Sequence, residues 1–122
     1  MSPRSDEFLQ AARRRLAAAE AAIGEDPSTA LSAAYYAMLY GARAALSELD
    51  TSAKTHRGTW QQFRSAFVES GRFDAELAAA VQKIQPEREQ ADYDAWSAPA
   101  EEAERTIELA HRFLRAIEEL FA

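Results

Sequence analysis

The sequence predicts an all-α protein, a single domain over residues 1–122 built as an up-and-down bundle of four to five helices. Apolar residues recur at steps of three and four along most of the chain, which is the period of one helix face. No segment alternates apolar and polar residues as a half-buried strand would. The connections between periodic segments are short, and a length of 122 residues suits one core.

Composition narrows the class of protein further. The chain has no cysteine, which excludes a disulfide scaffold, a thiolate zinc site and a cysteine nucleophile. No stretch has the apolar character of a signal peptide or of a membrane span, so we expect a cytoplasmic protein without a membrane partner. A net charge of −6 and a pI near 4.9 argue against general coating of nucleic acid, although a local cationic site stays open.

The first helix is predicted over residues 6–23, with Ser5 as its N-cap and Gly24 as its stop. Its apolar stripe consists of Phe8, Ala12, Leu16, Ala19 and Ile23. Three consecutive arginines at 13–15 straddle the polar side of this helix. They fit either an ordinary solvated face or a phosphate-binding patch.

The second helix starts at Asp26 and Pro27 and keeps the helical period through Leu49, so we expect it to be the central helix. Three tyrosines, Tyr35, Tyr36 and Tyr40, cover more than one of its faces. They pack inside the bundle or lie at an interface, since a tyrosine combines a large apolar body with a polar tip.

The remaining helices follow the same period. After a break over residues 50–57, a short third helix carries Trp60, Phe63 and Phe67. A fourth starts at Phe73 and Asp74, and its apolar face, if continued, passes through Leu77, Val81, Ile84, Arg88 and Asp92. Pro86 predicts a kink just before Arg88. Start signals at residues 97–102 precede a last helix, whose stripe is Ala103, Ile107, Ala110, Leu114, Ile117 and Phe121.

Three landmarks give the chain a resemblance to a known family. They are SAAYYAM at residues 32–38 followed by ARAAL at 42–46, KTHRG at 54–58 leading into Phe63, and REQADYD at 88–94. In their order and spacing the chain resembles small stand-alone HEPN proteins (higher eukaryotes and prokaryotes nucleotide-binding). The resemblance implies a HEPN-type bundle that forms a homodimer and is often paired with a minimal nucleotidyltransferase in a toxin–antitoxin module.

The resemblance also implies a site and an activity. Many HEPN proteins are metal-independent ribonucleases in which an arginine steadies phosphate charge and a histidine four to six residues later transfers a proton. Arg88 matches the arginine, but Asp92, Tyr93 and Asp94 stand where the histidine is expected. In some relatives a tyrosine just after the motif is adenylylated by the partner enzyme, which makes Tyr93 a candidate for that modification.

The candidate catalytic residues are therefore Arg88, Asp92 and Tyr93. Arg88 and Asp92 lie one helical turn apart, so an ion pair is the structural alternative. The segment 87–94 carries four carboxylates against Arg88 alone, and binding RNA there would need Lys54, His56 or Arg57 as substrate-binding residues, or a second subunit. We expect no metal and no cofactor.

The two histidines have different expected roles. His56 precedes a helix start, where it caps that helix, binds an anion or is simply solvated. His111 borders the stripe of the last helix and fits a packing or surface role better than a catalytic one. They are too far apart in sequence to form a His-Glu-x-x-His metal motif.

Two hypotheses of function remain. The first is a HEPN component of a nucleotidyltransferase-linked, toxin–antitoxin-like module, with ribonuclease activity as an open question. The second is a non-catalytic nucleotide-binding or protein-assembly module, in which Arg88 and Asp92 form a structural network. The missing histidine favours the second hypothesis, and an arginine on an otherwise apolar stripe favours the first.

Overall fold

The computed structural model describes residues 1–84 and 98–122, and these residues form an all-helical bundle. The helices are α1 (Pro3–Ala22), α2 (Pro27–Glu48), α3 (His56–Phe63), α4 (Ala75–Gln82) and α5 (Ala100–Leu120). No strand occurs within these two ranges. The predicted all-α fold class is confirmed.

Helix α2 is the centre of the bundle, as predicted. It packs against α1, α3 and α5, and the side chains it buries are mainly small ones with a few large ones between them: Ala30, Leu31, Ala34, Tyr35, Ala37, Met38, Leu39, Ala42, Ala44, Ala45 and Leu46. Gly41 allows α2 and α5 to approach each other closely. A Cβ atom at this position would lie 2.6 Å from Cδ2 of Leu114 and 3.3 Å from Cε2 of Phe113 on α5.

Helix α1 runs antiparallel to α2, and a small polar network joins their ends. The Ser2 N–H and the Ser5 hydroxyl both donate to Oε2 of Glu48, at 3.0 and 2.8 Å. The prediction that Ser5 is the N-cap is wrong: Ser2 caps the helix by accepting from the Ser5 N–H, and α1 begins at Pro3. Ser5 is instead fully buried inside the first turns, because its hydroxyl has a carboxylate partner there.

The direction of α5 follows from its contacts at both ends. The Ala98 N–H donates to the Ser28 hydroxyl at 2.8 Å, which places the start of α5 beside the start of α2. Glu118 near the other end pairs with Arg13 of α1. Helix α5 therefore runs parallel to α2 and antiparallel to α1. Its buried face includes Thr106 and Phe113, which the predicted stripe omitted, whereas the predicted Ile107 and Phe121 are half-buried.

Helix α3 begins earlier than predicted, at His56 within the expected break. Thr55 makes this possible because its hydroxyl accepts from the Gly58 N–H at 2.9 Å. The helix then passes into a wider turn at Arg64–Val68, where the Glu69 N–H donates to the Arg64 carbonyl five residues back. The aromatic rings on both sides of this wider turn pack in one core. Trp60 contacts Phe63 and Phe113. Phe63 also contacts Phe67, Phe73 and Phe113.

Helix α4 is capped by Asp74, whose carboxylate accepts from the Glu76 N–H at 2.9 Å. Leu77, Val81 and Ile84 are buried as the stripe predicts. The continuation of this stripe, including the predicted kink at Pro86, lies outside the described residues, as does the predicted start signal at Ser97.

Candidate functional site

The predicted site residues divide into two groups. Arg88, Asp92 and Tyr93 lie within residues 85–97, outside the described part of the chain. The other three, Lys54, His56 and Arg57, lie around the start of α3, with Lys54 and Arg57 exposed and His56 half-buried.

His56 packs against two tyrosines of α2. Its ring centroid lies 5.7 Å from that of Tyr35 and 5.5 Å from that of Tyr36, edge-on to the latter. The Tyr35 hydroxyl in turn accepts a hydrogen bond from Nε1 of Trp60 at 3.1 Å. The fold thus brings the tyrosine motif of α2 and the KTHRG segment together. The cap of α3 is Thr55 and not His56, which leaves the imidazole turned toward the tyrosines.

Lys54 lines a cleft of about 290 Å³ between the start of α1 and the end of α2, together with Arg4, Phe8, Arg43 and Leu46. Arg43 is held in place because its Nε donates to the Thr59 hydroxyl at 3.4 Å. Three cationic side chains from three separate stretches of the chain therefore converge on one cleft.

A larger groove of about 800 Å³ adjoins this cleft and shares Arg4 and Phe8 with it. Its other charged and aromatic lining residues are Glu7, Arg14, Arg15 and Tyr40. We call the two together the basic–aromatic face, which consists of Arg4, Phe8, Arg14, Arg15, Tyr40, Arg43 and Lys54.

The side chains of the basic–aromatic face are layered on one another. The guanidinium of Arg4 lies over the Phe8 ring at 5.7 Å, and Phe8 stacks on Tyr40 with ring centroids 6.3 Å apart. On the other side, the Arg15 guanidinium lies over Tyr40 at 5.7 Å and over Tyr36 at 5.8 Å. Because Tyr36 also contacts His56, the layers connect the groove to the histidine.

The charge of this face opposes that of the chain. Of the residues that the structure describes, five cationic side chains and one carboxylate, Glu7, line the two depressions, whereas the whole chain carries −6. Clustered cations of this kind attract anions locally even when the net charge repels them. Of the arginine run at residues 13–15, Arg14 and Arg15 belong to this face, and Arg13 instead pairs with Glu118 of α5.

Comparison with known proteins identifies the family. The HEPN domain profile matches residues 5–120. The chain belongs to the HEPN family. The resemblance drawn from the three sequence landmarks is thereby confirmed.

Two relatives show how this HEPN chain compares with others. It is 34% identical over 86 residues to the protein named "Putative toxin MJ0142" of Methanocaldococcus jannaschii, which covers 70% of this chain and 58% of the relative. It is 35% identical over 78 residues to the protein named "UPF0332 protein glr0978" of Gloeobacter violaceus, which covers 63% of this chain and 62% of the relative. The matches thus span about three fifths of each relative.

Other groups of this HEPN protein are placed away from the basic–aromatic face. His111 is exposed on α5 and pairs with Glu20 of α1 at 3.1 Å, a surface position of the kind predicted. In the ranges 1–84 and 98–122, no three His, Asp or Glu side chains are grouped so as to hold a metal ion. No helix among these residues is long and apolar enough to cross a membrane.

Proposed function

We propose that this HEPN protein is the toxin-like component of a toxin–antitoxin-like module and that it acts on RNA. It works as a homodimer, is paired with a minimal nucleotidyltransferase, and acts in the cytoplasm. The observation that carries the proposal is the convergence of Arg4, Arg43 and Lys54 on one cleft of a chain whose net charge is −6. Anionic phosphates are the ligands that such a cluster attracts.

The residues divide into roles that follow from their chemistry. Lys54, His56 and Arg57 bind the substrate, because their cationic or titratable groups lie beside this cleft or on the adjoining first turn of α3. Arg88 steadies phosphate charge, as the family motif implies, and Asp92 and Tyr93 complete the site. A proton carrier is needed for cleavage, and an imidazole suits this task near neutral pH, which makes His56 a candidate beside Asp92 and Tyr93.

A relative's name supports the toxin-like part of the proposal. The Methanocaldococcus jannaschii protein named "Putative toxin MJ0142" aligns with 70% of this chain. A toxin that acts on RNA must bind a polyanion despite its own acidity, and the basic–aromatic face supplies a surface where that is physically favourable. Pairing with a nucleotidyltransferase explains the tyrosine in the REQADYD motif, since Tyr93 is the residue such a partner would adenylylate.

A second candidate function is a non-catalytic nucleotide-binding or protein-assembly module. It is favoured by one observation, the aspartate at position 92 where ribonucleases of the family carry a histidine. An aspartate is ordinarily too weak a base for the proton transfer. In that case the cationic cleft would hold a nucleotide or a partner without cleaving RNA.

Growth of cells that express the protein tests the toxin-like function. We expect induction of the wild-type chain without a nucleotidyltransferase to arrest growth, and Arg88→Ala at an equal protein level to relieve the arrest. His111→Ala is the matched control, because this exposed histidine lies away from the cleft and should leave the arrest unchanged. Unimpeded growth at high levels of wild-type protein, or equal arrest by wild type and Arg88→Ala, would contradict the proposal.

A further inference from the structure

The α1 side of the basic–aromatic face has the geometry of a binding track for a polymer. Arg4, Phe8, Ala11 and Arg15 follow steps of four, three and four along α1 and all line the 800 Å³ groove, so they form one stripe of the helix. Arg4 and Arg15 are eleven residues apart, which corresponds to about 16 Å along a helix axis. A stacked strand rises about 3.4 Å per nucleotide, so the stripe matches about four or five nucleotides.

The arginines of this stripe lie on aromatic rings. Arg4 rests on Phe8, and Arg15 rests on Tyr40 and Tyr36. A guanidinium that lies on a ring keeps its N–H edges for phosphate oxygens and its outer face for a base. Holding these long side chains in place also lowers the conformational entropy that binding would otherwise cost.

We propose that this groove binds a single-stranded segment of RNA, with bases stacked on the layered Arg4, Phe8, Tyr40 and Arg15 side chains and phosphates held by Arg4, Arg14 and Arg15. The inference rests on the proposed action on RNA and names the substrate class. Bases paired inside a duplex are already stacked on one another and do not offer their faces to such a platform. Aromatic and arginine layers therefore favour unpaired strands.

The position of the groove relates it to His56, one of the predicted substrate-binding residues. The layers run from Arg4 through Tyr40 and Arg15 to Tyr36, which contacts His56. A strand bound along α1 would thus lead toward the Tyr36–His56 contact. Among the described residues, Glu7 is the one carboxylate in the lining of the groove, and its charge opposes a phosphate there and weakens binding.

The affinity of a labelled 12-nucleotide strand, measured by fluorescence anisotropy, tests the inference. Riboses carrying 2′-O-methyl groups make the strand resistant to metal-independent cleavage, so binding is measured without turnover. We expect the strand to bind at least tenfold more tightly than a duplex of the same length or than uridine monophosphate. The logarithm of affinity should fall with the logarithm of salt concentration with a slope of about −0.7 for each phosphate held.

Matched variants locate the strand. Arg14→Ala should weaken binding about fivefold and make the salt slope shallower by about 0.7, because one phosphate contact is lost. Arg13→Ala removes another exposed arginine from the neighbouring position but from the side that faces Glu118, and should leave affinity unchanged. Glu7→Gln should tighten binding. Tyr40→Leu keeps an apolar side chain against α1 and should weaken binding of the strand while the affinity for uridine monophosphate changes less.

The outcomes are distinguishable. Equal weakening by Arg13→Ala and Arg14→Ala, or a duplex that binds as tightly as the single strand, overturns the inference. Because Arg13 and Arg14 are both exposed, neither result depends on a variant that fails to fold. If the strand binds as expected but wild-type protein neither arrests growth nor cleaves RNA, the binding site stands and the proposed toxin-like function fails. If growth arrest depends on Arg88 and the strand does not bind, the proposed toxin-like function stands and the binding site in the groove fails.

Discussion

Glu48 joins the start of α1 to the end of α2, and its charge makes that junction dependent on pH. The Ser2 N–H and the Ser5 hydroxyl both donate to its carboxylate, and these hydrogen bonds lower the pKa of Glu48 from its ordinary value. Hydrogen bonds to the ionised form favour that form. The pKa in the folded state therefore lies below the pKa in the unfolded state.

The sign of the pH effect follows from linkage. A depressed carboxyl pKa contributes stability that is present above the unfolded-state value near 4.5 and is lost as the pH falls through the folded-state value. We expect Glu48→Gln to lower the free energy of unfolding at pH 7 and to differ less from wild type at pH 3. Urea unfolding at the two pH values measures this. A deficit of the same size at both would show that the charge of Glu48 plays no part.

Single residues were also where prediction from sequence was weakest. The rule that a serine before an apolar run caps a helix points to Ser5. Nothing in the sequence shows that the Ser5 hydroxyl instead donates a hydrogen bond to a carboxylate 43 residues away. The arginine run at residues 13–15 is evident in the sequence, which leaves open whether it forms a solvated face or a phosphate-binding patch. Which arginine faces α2 and which faces α5 depends on how α1 is rotated against its neighbours. Nothing in the sequence marks Arg4, or Arg43 within the ARAAL landmark, as a residue of a cationic cleft.

The start of α3 is the element that sets the position of His56. The Thr55 hydroxyl accepts from the Gly58 N–H, and its carbonyl accepts from the Thr59 hydroxyl at 2.8 Å. We expect Thr55→Ala to cost about 1 kcal/mol of stability, because one helix N–H loses its partner. Thr55→Ser keeps the hydroxyl and should cost little. Thermal unfolding of both variants measures the difference, and equal melting temperatures for Ala and Ser would contradict the capping role.

The helices themselves were predictable because their apolar period is long and their connections carry strong signals. Asp26 and Pro27 start α2 where expected, and Asp74 starts α4. The predictions differ from the structure at the ends of helices and in which side chains a helix buries. Thr106 was omitted from the stripe of α5 because threonine is polar, but its hydroxyl donates to the Glu102 carbonyl one turn earlier, which removes the cost of burying it.

At the scale of the whole molecule, the family was predictable and the basic–aromatic face was not. The landmarks at residues 32–46, 54–58 and 88–94 stand in an order that identifies a HEPN protein, and the matching family profile confirms it. The face, by contrast, takes residues from α1, α2 and the loop before α3. A net charge of −6 hides such a patch, because a sum over the chain contains no information on where the charges lie.

The whole molecule therefore combines a negative net charge with a local cationic face. The net charge of −6 repels nucleic acid in general, whereas the proposed RNA site on the basic–aromatic face would attract it. This arrangement favours selectivity over affinity, since wrong orientations meet like charge.

Cleavage of total RNA by the purified protein in the presence of a chelator tests the central claim most directly. Wild type, Arg88→Ala and His111→Ala are compared, with products resolved on a gel and folding checked by thermal unfolding. We predict metal-independent cleavage by wild type and by His111→Ala, and a rate about a hundredfold lower for Arg88→Ala, because the group proposed to stabilise phosphate charge is removed. Intact RNA with wild-type protein at high concentration, or equal cleavage by wild type and Arg88→Ala, would contradict the account.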